Sequence, residues 1–331
     1  MKYFVFMSVL IAGILNSNVA GASEITVYSG RSRTLVEPII AQFERETHIK
    51  VNVRYGGTAQ LALALLEEGS RSPADLFWAQ DASALGAVSK RGLFEQLPFS
   101  IACKVPEKFR NSSGNWVATN GRARVIAYSP ERVAADIFPC SILDLTDSKW
   151  RARVGWAPQN ASFQAFVTAM RVLVGEVKTE LWLQGMKANK TKSYSKNTPI
   201  IKALAAGEID LGLSNHYYLL RFKKADPEFP VEQTFFEPGD AGNLVNVAGI
   251  GHLKTSQNPE QSLAFIQYLL SFTAQQFFVS EVFEYPISNE VVPNLKLLPL
   301  GELLRCSPNL NLDDLDDLDG TLKLLRRVGI L

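Results

Sequence analysis

Long apolar runs are scarce in this 331-residue chain, and so are cysteine, histidine and any surplus of one charge. Beyond residue 22, charges break every apolar stretch, so no later segment reads as a membrane span. The 34 Lys and Arg against 33 Asp and Glu leave a net charge of +1. That balance argues against nucleic acid, which calls for a basic surface. The three cysteines, Cys103, Cys140 and Cys306, lie far apart and show no CxxC or zinc-type spacing. In an oxidising compartment the expected bridge joins Cys103 to Cys140, leaving a buried free thiol.

Catalytic signatures are missing as well: the chain holds no P-loop, GxSxG elbow, HExxH or complete GxGxxG. Gly249-Ile250-Gly251 has Lys254 at the third glycine position, and Ser193-Tyr194-Ser195-Lys196 lacks the other elements of an SxxK enzyme. The acidic run Asp313-Asp314-Leu315-Asp316-Asp317-Leu318-Asp319-Gly320 fails as an EF-hand. Leu315 falls at loop position 1 and Arg326 at position 12. A capped amphipathic helix over Asp316–Val328 accounts for it better. His48 and His252 read as isolated structural or exposed residues.

What is present begins with an export signal. Lys2, the apolar run Phe4–Leu15 and the small residues Val19-Ala20-Gly21-Ala22 predict cleavage near Ala22 and a periplasmic address. The remainder is large for one core and natural for two lobes. Short β-branched strands alternate with helix-patterned segments: strands at Ile25–Tyr28, Lys50–Tyr55 and Asp75–Trp78, helices at Thr34–Glu46, Thr58–Glu68 and Asp81–Arg91. The rhythm restarts with strand Val154–Trp156 and helix Ala161–Gly175, predicting an α/β fold on mainly parallel sheet. Arg122–Ser129 and Leu244–Ile250 are expected to cross between the lobes. Lobe 1 is expected over residues 23–122 and 247–300, and lobe 2 over 123–246 and 301–331.

Ligands of such sheets bind beyond the carboxyl ends of the strands, at helix N-termini. Here those points are small and polar: Ser29-Gly30-Arg31-Ser32-Arg33, Tyr55-Gly56-Gly57-Thr58, Ala79-Gln80-Asp81, Gln159-Asn160-Ala161-Ser162, Lys196-Asn197-Thr198-Pro199 and Ser214-Asn215-His216-Tyr217-Tyr218. Asn197 or Thr198 before Pro199 predicts a capped helix start. Several such N-termini around one cleft make an anion site, strengthened by the arginines at 31, 33, 122 and 124. The double tyrosine follows the strand-like Glu208–Leu213. In the first turn of a helix capped by Ser214 or Asn215, both rings can reach the cleft. A phenol ionises near pH 10, so a phenolate pair at neutral pH needs a strongly charged partner such as ferric iron. The alternative is that one ring packs in the core and the other lies on the surface. His216, beside them, faces elsewhere on the same turn.

Val27-Tyr28-Ser29-Gly30-Arg31, Glu68-Gly69-Ser70-Arg71-Ser72-Pro73-Ala74-Asp75, Gly121-Arg122-Ala123-Arg124-Val125, Lys196-Asn197, Gly207-Glu208-Ile209-Asp210, Asn215-His216-Tyr217-Tyr218 and Glu284-Tyr285-Pro286 occur in this order. Together they resemble the periplasmic ferric-ion-binding proteins of ABC importers, from about residue 24 to the C-terminus. The resemblance implies a two-lobed type II periplasmic binding fold with the ligand cleft between the lobes, closing by hinge motion and without catalytic activity. It implies an inner-membrane ABC permease as partner, and Tyr217 and Tyr218 as phenolate ligands of Fe3+. Asn160, Ala161, Ser162, Asn197 and Asn215 fall where relatives hold a synergistic anion: carbonate, phosphate or a chelator. Arg31, Arg33 and Arg124 would support that anion. The chain departs from the pattern at Ser32, where many members carry a histidine ligand, and at Gln80, where a carboxylate often follows the third strand. Phe163 stands where some carry a third tyrosine. These departures keep a second expectation open, a carrier of a phosphorylated sugar or other organophosphate. An exported hydrolase is a third and weaker one. The two crossings predict a monomer that closes on its ligand.

Overall fold

Three β-branched strands, β1 (Glu24–Ser29), β2 (Lys50–Tyr55) and β3 (Leu76–Ala79), alternate with helices α1 (Arg33–Thr47), α2 (Thr58–Glu68) and α3 (Ala82–Lys90). The structure, a computed structural model, describes residues 23–287 and 290–331; the expected export signal lies outside the described residues. After a short helix α4 (Phe99–Ala102) comes the 13-residue strand β4 (Trp116–Tyr128). The second half holds β5 (Val154–Trp156), α5 (Ala161–Val174), α6 (Glu176–Ala188), β6 (Lys192–Ser193), α7 (Asn197–Ala205), β7 (Leu211–Asn215), α8 (His216–Ala225) and β8 (Glu232–Thr234). Strand β9 (Val245–His252) returns to the first half, followed by α9 (Pro259–Leu269), α10 (Phe272–Phe277), α11 (Leu300–Cys306) and α12 (Leu318–Val328).

The strands form one path, β2-β1-β3-β9-β4-β7-β5-β6, with β8 beside β4. Each wing is parallel, as expected: β1 pairs parallel with β2 and β3, and β5 with β6 and β7. The joint is antiparallel, because β4 and β9 run between the wings in opposite directions. Every residue of β9, and all of β4 except Tyr128, is buried. Strand β4 starts six residues earlier than expected, since Trp116–Gly121 extends the ladder with β9 through a bulge between Ala118 and Asn120. A third connection follows α10: Gly121 and Tyr285 exchange backbone hydrogen bonds of 2.7 and 2.8 Å.

Local differences have local causes. Strand β7 begins at Leu211 because Asp210 is held outside it, accepting from Arg132 Nε (2.6 Å) and Arg153 Nε (2.5 Å). Helix α7 is capped by Lys196, which makes no side-chain cap bond, so Asn197 lies inside the first turn. Pro199 still fits there, because first-turn N–H groups have no helical partner to lose. The cysteines are all free: Cys103 and Cys140 are exposed and Cys306 is half-buried. Cys103 ends α4 in the first wing, whereas the Cys140 carbonyl accepts from Glu237 N–H in the second, so the expected bridge does not form.

The acidic run ties the wings together. Asp313 accepts from Asn111 Nδ2 (2.8 Å) and Ser112 N–H (2.9 Å), and Asp316 pairs with Lys90 (3.1 Å), all in the first wing. Asp317 caps α12 and pairs with Arg171 (2.7 Å) in the second. Leu312 and Leu315 are buried beneath this strap. Asp313→Ala is therefore expected to lower stability by about 1–2 kcal/mol, read as a lower urea midpoint at unchanged m-value.

Candidate functional site

Strand β7 ends at Asn215, which caps α8 through its extended backbone and makes no side-chain cap bond. Tyr217 and Tyr218 occupy the first turn, as the sequence predicts, and their rings stack at 4.3 Å with 29° between planes. Tyr217 is fully buried and its hydroxyl has no hydrogen-bond partner; Tyr218 is 8% exposed and lines the cleft. An unpaired buried hydroxyl is costly. Burial, then Tyr218 and Glu284, push the Tyr217 phenol well above its ordinary value, against the pull of Arg122 and Arg31. It is protonated at neutral pH, with nothing to donate to.

Three buried arginines stand around the pair. Arg122 and Arg124 are two apart on β4 and so share one face; they lie opposite Asn246 of β9 and Asn215 of β7. None of the three side-chain nitrogens of Arg122 has a partner, nor do the two terminal ones of Arg124, which sits over the rings of Phe163 (5.9 Å) and Phe166 (5.1 Å). Burial, then Arg122, press the Arg124 value down to about 9, which leaves it charged at neutral pH. Arg31 differs: its terminal nitrogens reach the two Glu284 oxygens at 3.1 and 2.6 Å, and Asn120 donates to the same carboxylate. Arg31, expected to support the anion, has both terminal nitrogens on Glu284. Buried cations without hydrogen-bond partners are expensive, and Glu284 and Asp81 are the carboxylates that act on Arg122 through space.

His216 opens α8 and is turned away from the tyrosine hydroxyls. Its Nδ1 accepts from the Ala123 N–H (3.1 Å) on β4, and its Nε2–H donates to the Phe283 carbonyl (2.7 Å) on the third connection. That fixes the tautomer and pins the tyrosine helix to two crossings. Burial holds the ring near 4, below its ordinary 6.5. A histidine held neutral contributes stability that is complete above the unfolded value and is lost as pH falls from about 6.5 to 4, about 3 kcal/mol in all. Asp81, the buried cap of α3, acts oppositely. Burial raises it to about 6 against the pull of Arg122, so its contribution is lost as pH rises from about 4 to 6. The two offset each other. His216→Asn should therefore uncover a fall in stability between pH 4 and 6 that the parent lacks, measured by denaturant titration across that range.

The cleft has a volume of about 1020 Å³. Gly30–Leu35, Tyr55–Gln60 and Gln80 form one wall; Gln159–Ala161, Lys196, Thr198, Tyr218, Arg221 and Arg326 belong to the other. Gly30 is required at its turn, because a Cβ there would lie 2.0 Å from Thr58 Oγ1. Ser32 is exposed at the start of α1 and Gln80 is buried at the cleft floor. Arg33 is exposed, paired with Glu37 (3.2 Å) and laid over Tyr55 (4.7 Å), so it belongs to the rim. Asn160 caps α5 by accepting from Ser162 N–H (3.0 Å) and Oγ (2.6 Å), which uses both side chains locally. Asn197 is fully buried with neither amide atom bonded, and Asn215 Nδ2 is likewise unpaired. Phe163 packs edge-on against Trp156 and offers no donor atom.

The sequence signal for Arg122 was its alternation with Arg124. Glu284 stood in the Glu284-Tyr285-Pro286 run, but nothing in the sequence tied it to Arg31, 253 residues away in the chain. The basic residues Arg221 and Arg326 were also unassigned; Arg221 follows Tyr218 by three and shares its helix face.

The profile of the bacterial extracellular solute-binding proteins matches residues 25–284. The chain is 32% identical over 325 residues to the major ferric iron-binding protein of Neisseria meningitidis serogroup B, covering 97% of each. It superposes on iron-bound HitA from Pseudomonas aeruginosa with a TM-score of 0.88 at 33% identity, covering 93% of this chain and 99% of that one. The Trichodesmium protein IdiA/FutA, in complex with iron and citrate ligands, matches with a TM-score of 0.76 at 29% identity, over 93% and 99%. With this cleft, this joint of β4 and β9 and these relatives, the chain belongs to the bacterial extracellular solute-binding protein family, among its periplasmic ferric-ion-binding members.

Proposed function

We propose that this chain is the periplasmic solute-binding component of an ABC importer and carries ferric iron on Tyr217 and Tyr218 as phenolates, with a synergistic anion completing the shell. The observation that carries this reading is the stacked tyrosine pair with an unpaired buried hydroxyl, in a chain about as similar to iron-bound HitA as to the meningococcal protein. Ferric iron is a hard cation suited to phenolate oxygen, and binding displaces the phenolic protons. The anion would take up the charge of Arg122 and Arg124, with Asn197 and Asn215 offering the unpaired amide groups nearby. Ser32, Gln80, Asn160 and Ala161 line the cavity around it, and Ser162 is held by Asn160. Delivery to an inner-membrane permease follows from membership of the family.

The chain acts as a monomer whose wings close by bending at β4 and β9. Dialysis against a ferric salt with carbonate should load one iron per chain, and small-angle scattering should give a smaller radius of gyration on loading. A chain that loads no iron, or loads it with an unchanged profile, contradicts the proposal. The unpaired arginines also suit a phosphorylated sugar, with phosphate paired to Arg124. That reading predicts tight binding of a sugar phosphate and no iron uptake in the same dialysis.

A further inference from the structure

Helix α10 runs directly into a single π-helical turn, Phe278–Val282, and Phe283 ends it in the left-handed region at φ +62° and ψ +29°. A π-turn holds one residue more than an α-turn, and such turns recur at functional sites. A bulky residue at positive φ is strained and persists only where its surroundings fix it. Among the described residues, four other than glycine have positive φ. His48, Ala152 and Lys190 are exposed; Phe283 is buried. The turn belongs to the first wing, where Phe278 packs edge-on against Trp78 of β3 at 6.4 Å.

The strained segment aims its groups at the tyrosine helix. The Phe283 carbonyl accepts from His216 Nε2–H at the first turn of α8. At the last turn, Lys224 pairs with Glu281 (2.8 Å), and its ammonium lies 5.8 Å from the centre of the Phe283 ring. Lys224 follows Tyr217 by seven residues, so the two share one face of α8. These two points stand about 12 Å apart along the helix, enough to set its tilt. The next residue, Glu284, holds Arg31 in the β1–α1 loop. One six-residue segment therefore joins the tyrosine helix of the second wing to a cleft wall of the first.

We infer that Phe283 and Glu281 are positioning residues for iron binding. They set the tilt of α8, and with it the place at which the oxygens of Tyr217 and Tyr218 meet the ion. The inference rests on the tyrosinate reading above. Without them α8 is held to the second wing alone, and the two phenolates reach the iron with altered geometry.

The test compares the parent with Glu281→Lys, with Glu281→Lys combined with Lys224→Glu, and with Phe283→Gly. The ion-pair side chains are 51% and 57% exposed, so the fold tolerates the exchange of charge. Each protein is loaded from ferric salt with carbonate. Iron release to excess chelator, the phenolate-to-iron band and the urea midpoint of the ligand-free protein are then measured. Glu281→Lys sets two cations against each other and should speed release about fivefold, with a displaced band and the parent's midpoint. The reciprocal charge exchange should restore both release and band. Phe283→Gly removes the ring and frees the backbone, and should speed release at least as much. Unchanged release and band in Glu281→Lys or in Phe283→Gly, or an exchanged pair no better than Glu281→Lys alone, overturns the inference and leaves the tyrosinate reading standing. A parent that loads iron without the phenolate band overturns both.

Discussion

Tyr217→Phe and Tyr218→Phe should each lower ferric affinity by at least about 100-fold, roughly 3 kcal/mol, and abolish the phenolate-to-iron colour. The fold should not suffer. Phe keeps the ring and the 4.3 Å stacking, and at position 217 it removes a buried hydroxyl that has no partner. Stability of the ligand-free Tyr217→Phe protein should therefore equal the parent's or exceed it by about 1 kcal/mol. Equilibrium competition with a ferric chelator gives the first quantity, and urea unfolding gives the second. In the parent, affinity should fall as pH falls, by about tenfold per pH unit for each phenolic proton that iron displaces. The single variants lose one of those protons and should show a shallower slope.

Glu284→Gln should destabilise the ligand-free protein by about 3–5 kcal/mol, because it leaves the buried Arg31 without its carboxylate, beside Arg122 and Arg124, which have no hydrogen-bond partners. Arg122→Met should act with the opposite sign. It removes a buried charge that has no hydrogen-bond partner and is opposed only through space by Glu284 and Asp81, and it keeps much of the side-chain volume, so the ligand-free protein gains about 1 kcal/mol. The same variant should bind ferric iron more weakly, since the anion loses its cation. Thermal midpoints with and without ligand separate these effects. If Glu284→Gln unfolds like the parent, the Arg31–Glu284 pair does not hold the third connection to the cleft loop.

The strand and helix rhythm was legible because period-2 and period-3.6 apolar patterns are local properties. Strand Lys50–Tyr55 and helix Thr58–Glu68 emerge with the expected bounds. The tyrosine pair was legible because adjacent residues in a first helical turn need no tertiary information to be placed together. What failed was long-range. The Arg31–Glu284 pair and the strap from Asp313 to Asp317 depend on how distant segments meet, which no local pattern encodes. The expected Cys103–Cys140 bridge failed for the same reason: the two residues belong to different wings. The cap expected at Asn197 or Thr198 lies earlier, at Lys196, because Pro199 is tolerated anywhere in the first turn. His216 was rightly set apart from the tyrosine oxygens, but its role as a pin between β4 and the third connection appears only in the folded chain.

The most direct test of the central claim is resonance Raman spectroscopy of the ferric-loaded chain, excited in its visible charge-transfer band. Ring modes of iron-bound tyrosinate are expected in the parent, halved in either single Tyr→Phe variant and absent from the double variant. Iron retained by a colourless parent, or unchanged ring modes in the double variant, would contradict ligation by Tyr217 and Tyr218.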